Sequence, residues 1–316
     1  LDRRSPVASP RSPLTWALYL RNELSQADDA GYFGPSSALW RLNRESVLAI
    51  GLVRAILLQL AHPWVAQAVV DHSTVYQQPL DRLLATASAA ELITFGSRAQ
   101  ADRAAARIRR VHTRINGRLS ESAGRWPAGT PYTAEDVDAL CWVLATLGDT
   151  TLLIYETVYG SLPDHVSEAY LADTARLGEF LGIPVNRPPR TRRELSRYLA
   201  DRIADGTVAV GDVGRRVATD LSALRVPLWQ RVTVRPWLRF SLDVAAATLP
   251  AAIRAQYGDA LPNPRRRLLS TGARLARTVL PRLPVALRTD PIARAAIRRA
   301  EGALLPLATS PEPLAE

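Results

Sequence analysis

Residues 101–119 read ADRAAARIRRVHTRINGRL. Apolar side chains recur at Ala104, Ile108, Val111, Ile115 and Leu119, spaced by four, three, four and four residues. A helical period puts these positions on one stripe; a strand would need alternation at every second residue. The stretch predicts a helix packed by that stripe against other helices. His112 follows Val111 and lies one turn from Ile108 and Ile115, so its ring sits at the edge of the stripe. Arg103, Arg107, Arg109, Arg110 and Arg114 share the segment.

The same period extends in both directions. Helices are expected over 13–26, over 37–60 in one or two pieces, from Pro63 to Val70, over 79–100, over 133–148 with Thr133 as N-cap, and over 167–181. Thr191 and Glu194 have capping-box spacing. Several short, Pro-broken, Arg-rich helices follow over 221–301. Period-2 alternation is rare, and Val/Ile/Thr runs bounded by turns are few, Thr207 to Val210 being one. The fold class is therefore all-α, a single large helical domain. Its expected parts are a loose arm over 1–13, a helical core over 14–230, an Arg-rich helical part over 231–305 packed on the same domain, and a disordered tail over 306–316.

The most apolar run, Ser46 to Val70, is long enough for a membrane span. Arg54, Gln59, His62 and Pro63 interrupt it, and Pro63 starts a new helix, so two buried core helices are expected instead. No conventional secretion signal is visible, which points to a cytoplasmic protein.

Composition narrows the chemistry. The chain has 316 residues, 47% of them hydrophobic and 22% charged, a globular balance. A single cysteine, Cys141, excludes a disulfide framework and any multi-cysteine metal centre. All 40 basic residues are arginine, which excludes lysine Schiff-base chemistry. The Gly-x-Ser-x-Gly, phosphate-loop and dinucleotide-binding patterns are absent.

The net charge of +10 is concentrated. Between Arg231 and Ala300 fourteen arginines stand against three aspartates. A solvated face accounts for such a run, as does an anionic partner. No nucleic-acid motif accompanies the arginines, so nucleic acid is not expected as a partner. Peripheral contact with a membrane remains open.

Four histidines are present: His62, His72, His112 and His165. A lone imidazole at the edge of an apolar stripe can ligate a haem iron or serve as a core histidine bonded to a neighbouring carbonyl. Arg109 and its neighbours can pair with propionates or face solvent. Arg82 and Thr86 are four apart on one helix face, where they can hold an anion or a polarised oxygen, or stand as a surface arginine and an inward threonine bonded to the backbone. His62-Pro63 at a helix start reads as structural. Asp71-His72-Ser73 reads as a cap or as a polar cluster entering a site.

Taken in order, these segments resemble the family of MpaB and latex clearing protein. The residues that carry the likeness are Asn43-Arg44-Glu45, Leu57 to Pro63, Asp71-His72-Ser73, Asp81-Arg82 to Thr86, Phe95-Gly96 and His112 to Gly117. Tyr132 to Asp136, Leu140 to Val143, Ala145-Thr146-Leu147 and Leu283 to Arg288 extend it across residues 35–300. The resemblance implies a haem b oxygenase with a globin-related helical core, dioxygen as co-substrate and a small hydrophobic, isoprenoid or alkene-bearing substrate. It implies His112 as proximal iron ligand and Arg82 and Thr86 as catalytic residues; His72 is a further catalytic candidate, and Arg82, Arg109 and His62 are candidates to hold the cofactor. Ala85 stands where the latex enzyme has a distal lysine, so a lysine-capped closed state is impossible here. The alternatives are a haem protein that does not oxygenate and a cofactor-free basic protein docking on anionic membranes.

Overall fold

The computed structural model describes residues 13–25, 29–72, 88–223, 232 and 234–304. The chain is a single all-α domain, and its one described sheet is a two-stranded hairpin. α1 (Pro13–Ser25) precedes α2 (Ala38–Asn43), a 3-10 turn (Ser46–Gly51), α3 (Leu52–Leu60) and α4 (Pro63–His72). A helix described over 88–95, α5, runs into a tight turn and then α6 (Arg98–His112). Strands β1 (Asn116–Arg118) and β2 (Pro131–Thr133) pair antiparallel, with Gly117 opposite Tyr132. Next come α7 (Val137–Tyr159), α8 (Asp164–Phe180), α9 (Arg192–Ala204), α10 (Asp212–Ser222), α11 (Val234–Thr248) and α12 (Ala251–Tyr257). α13 (Arg266–Val279), α14 (Val285–Arg288) and α15 (Pro291–Leu304) close the described chain.

The centre is built where α3 packs between α7 and α11. Val53, Leu57 and Leu58 meet Trp142, Ala145 and Leu152 on one side and Leu238, Leu242 and Ala245 on the other. Polar groups inside this layer are matched. The Trp142 indole N–H donates to Leu58 O (2.8 Å), and the Tyr257 hydroxyl to Leu57 O (2.6 Å). Arg54, buried on α3, pairs with Asp149 (2.7 Å) and donates to the Thr150 hydroxyl (2.7 Å). A buried guanidinium is tolerated only with this kind of full pairing. A second cluster joins Leu20 and Leu24 of α1 to Trp40, Phe95 and the alanine face of α15, bringing the two ends of the described chain together.

The apolar run 46–70 is two segments bent by 101° at the His62-Pro63 break, as its proline predicts. Val137–Tyr159 is long and apolar enough to cross a bilayer, but it is mostly buried within the bundle. The capping box of Thr191 and Glu194 starts α9 as expected.

The expectations fail around the central stretch. The helix ends at His112, not Leu119, and 116–118 is a strand. Val111 is 42% exposed and Ile115 half-buried. Gly117 explains the break, because a Cβ there would lie 2.7 Å from the Tyr132 hydroxyl. Only glycine lets β2 close over β1 at that height. Thr133 belongs to β2, and Asp136 caps α7 by accepting from Ala139 N (2.8 Å). The segment Thr207 to Val210 forms no strand. Of the helix expected over 79–100, residues 79–87 lie outside the described residues, and the rest is broken at Gly96, where Ser97 and Gln100 form the capping box of α6.

Candidate functional site

The site is assembled from the ends of α4 and α6 and the hairpin after α6. On α6 the inward face carries Ala101, Ala104 and Ala105, all buried, then Ile108 and His112, both half-buried. Ala104, Ala105 and Ile108 pack with Ile93 of α5 and Leu177 and Phe180 of α8. Burial thus falls along one face toward the C-terminal end, and the imidazole of His112 lies where that face opens. Val111 and Ile115 leave apolar surface beside it. The turn that brings α5 onto α6 depends on glycine. A Cβ on Gly96 would sit 2.2 Å from Leu92 O, and one on Gly31 (φ +79°) would sit 2.1 Å from Gly96 O.

The hairpin begins directly after His112, with Ile115 N donating to His112 O (3.0 Å). Bonds from Tyr132, Ser120 and His72 pin it to α4, and a further bond within α4 joins Gln67 to Asp71. The Tyr132 hydroxyl donates to the Asp71 carboxylate (2.6 Å), and Gln67 Nε2 donates to the same carboxylate (2.8 Å). Gln67 Oε1 accepts from Ser120 Oγ (2.8 Å). His72 Nε2 bonds Asn116 O at 2.9 Å. A carbonyl only accepts, so Nε2 carries the proton in this arrangement. Tyr132 is buried, and its phenol pKa is raised, first by desolvation and then by the bond to Asp71. The residues whose positions define the site's frame are therefore Gln67, Asp71, Ser120 and Tyr132. Of these only Asp71 stands out in the sequence, as part of a polar cluster, and no local pattern marks a bond across 61 positions such as Tyr132 to Asp71.

His62 lies elsewhere. It is the residue before Pro63, which takes the first helical position of α4. Its Nδ1 accepts from Trp64 N (3.3 Å), so the ring caps the helix, and Nε2 carries the proton of the neutral form. The ring is 2% exposed and stacks in a cluster with Trp64 and Trp126. Burial lowers its pKa to about 4, with Arg202 adding a smaller push in the same direction. His62 and His72 stand at opposite ends of α4, about 15 Å apart along the axis at 1.5 Å per residue. His165 is exposed on α8.

Arg109 is exposed, one turn before His112, and lines a surface cleft of ≈ 530 Å³ with Tyr32, Phe33, Asp102, Arg176 and Phe180. Arg82, Ala85 and Thr86 lie outside the described residues. Glu91, on α5, has a buried Oε2 with no hydrogen-bond partner. Desolvation, helped by nearby Asp290, pushes its pKa up to about 8. Among the described residues no group of three His, Cys, Asp or Glu side chains could hold a metal ion.

Residues 40–282 match the family model described as the catalytic domain of the ER-bound oxygenase mpaB/B′ and rubber oxygenase. The chain belongs to this family. The match takes in α3, α4, α6 and the hairpin, so the frame around His112 and His72 lies within the oxygenase catalytic domain. No curated protein and no solved structure matched the chain.

Proposed function

We propose that this member of the mpaB and rubber oxygenase family is a haem b-dependent oxygenase acting with dioxygen on a small hydrophobic substrate, with His112 as proximal iron ligand. The observation that carries the reading is the position of His112. It is the half-buried last residue of α6, on the face that also presents Ile108, with Val111 and Ile115 partly exposed beside it. One imidazole nitrogen among apolar side chains is the donor set a haem iron takes from a protein. The described residues offer no cluster suited to a non-haem metal. This donor supports haem as the group held here.

Haem supplies the redox chemistry toward dioxygen when bound; the chain supplies position and field. Arg109, exposed one turn before His112, is available to a carboxylate such as a propionate. Arg82 and Thr86 keep the roles the motif match implies, Arg82 toward an anion and Thr86 orienting a polar atom at the substrate side. His72 acts here as a positioning residue, because its Nε2 is committed to Asn116 O. That bond and the Tyr132–Asp71 bond hold the chain leaving His112 against α4. His62 caps α4 at its far end and is not assigned to the cofactor.

Expression with iron and a haem precursor should give a protein with a Soret band. His112→Ala should lose haem occupancy and activity together, while Thr86→Ala should keep the band and change turnover. Labelled dioxygen should appear in the product. A full Soret band with an unchanged ligand spectrum in His112→Ala rejects the ligand assignment.

A further inference from the structure

The segment after α12 combines exposed apolar side chains with an excess of arginine. Residues 265–288 contain seven arginines and no carboxylate. They also hold Leu268 (50% exposed), Leu275 (64%), Val279 (42%), Val285 (43%) and Leu287 (68%). α13 packs on α7 and α11, yet none of its residues is fully buried. On a helix, Leu268, Leu275 and Val279 are seven and four residues apart and fall on one line. This line lies beside the half-buried strip of Leu269, Ala273 and Ala276, so the apolar sector is wider than the bundle covers. Arg267 and Arg274, seven apart, form a parallel row roughly a third of a turn round.

Three of the seven arginines reach groups on other elements. Arg265 pairs with buried Asp243 (2.6 Å), Arg277 donates to Thr157 O at the end of α7 (2.7 Å), and Arg288 approaches Glu45 (3.8 Å). Arg266, Arg267, Arg274 and Arg282 are exposed and have no carboxylate partner among the described residues.

We infer that α13 is a docking surface for an anionic lipid bilayer, lying in the interface with Leu268, Leu275 and Val279 toward the acyl chains. An exposed apolar row flanked by arginines is the pattern of interfacial amphipathic helices. The long guanidinium side chains reach headgroup phosphates while their stems cover apolar surface. An acidic soluble partner would match the charge but would not require the exposed leucine row. The inference does not depend on haem.

The test uses the full chain and vesicles of phosphatidylcholine with or without phosphatidylserine, separated by sedimentation. Binding should need phosphatidylserine and weaken by about tenfold or more from low to high salt. Leu268→Gln with Leu275→Gln should weaken it about tenfold, because the apolar contribution scales with buried area. Arg267→Gln with Arg274→Gln should weaken it about 25-fold, at about fivefold per charge near an anionic surface. All four positions are exposed, so circular dichroism and melting should match the parent; if the leucine pair misfolds, Leu275→Gln alone, the more exposed site, carries the apolar arm of the test. No vesicle binding, or equal binding to neutral vesicles, overturns the inference. So does loss in the arginine variant with full binding in the leucine variant, which would mark a surface that responds to polyanions by charge alone.

Discussion

His62 gives the sharpest energetic prediction. Folding takes a group that titrates at 6.5 and buries it where its pKa is about 4. The native state holds the neutral ring, whose Nδ1 accepts from Trp64 N. Below pH 6.5 the unfolded chain gains a proton that the native chain refuses, so stability falls with pH until both forms are protonated. The gap corresponds to about 3 kcal/mol in full, of which roughly 2 kcal/mol is lost between pH 7 and pH 5. Glu91 works the other way: its contribution is complete below the ordinary carboxylate value and is lost as pH rises toward about 8. Comparison with a variant removes that opposing slope. His62→Asn keeps an acceptor for Trp64 N and removes the titration. Urea unfolding of both proteins at pH 7 and pH 5 should show the parent losing about 2 kcal/mol more than the variant over this interval. Parallel pH dependence would refute the buried neutral ring.

Glu91→Gln should be near neutral at pH 5 and stabilising at pH 9, since the amide suits a site that keeps the carboxyl protonated; a loss of stability at pH 9 in urea unfolding contradicts it. Gly31→Ala should cost roughly 3 kcal/mol, from a left-handed backbone and a Cβ forced against Gly96 O, which denaturant melts would register. Tyr132→Phe removes the bond to Asp71 and should cost about 1.5 kcal/mol. Exposed Asp71 turns to water and to Gln67, so a cost several times larger would mean that the hairpin itself comes apart.

Several features were legible because their cause is local. Pro63 breaks the apolar run and starts α4, and Thr191 with Glu194 opens α9. The stripe on α6 was legible for its first two turns. Beyond His112 the same spacing continued in the sequence but not in the helix. There the competing cause is tertiary: β2 lays Tyr132 on Gly117 and pulls the chain into a hairpin. The functional reading of His72 changed for a similar reason. Nothing near residue 72 announces Asn116 as its partner, so a polar cluster and a positioning bond look alike in sequence. The proline beside His62 marked it as structural, although the sequence reading also placed it at the cofactor, and its depressed pKa comes from burial among Trp64 and Trp126.

The most direct test of the central claim is the absorption spectrum of the purified, iron-supplied protein beside that of His112→Ala. A Soret band that disappears in the variant, with far-ultraviolet circular dichroism unchanged, is the predicted result. A colourless parent, or a variant that keeps the parent's spectrum, contradicts it.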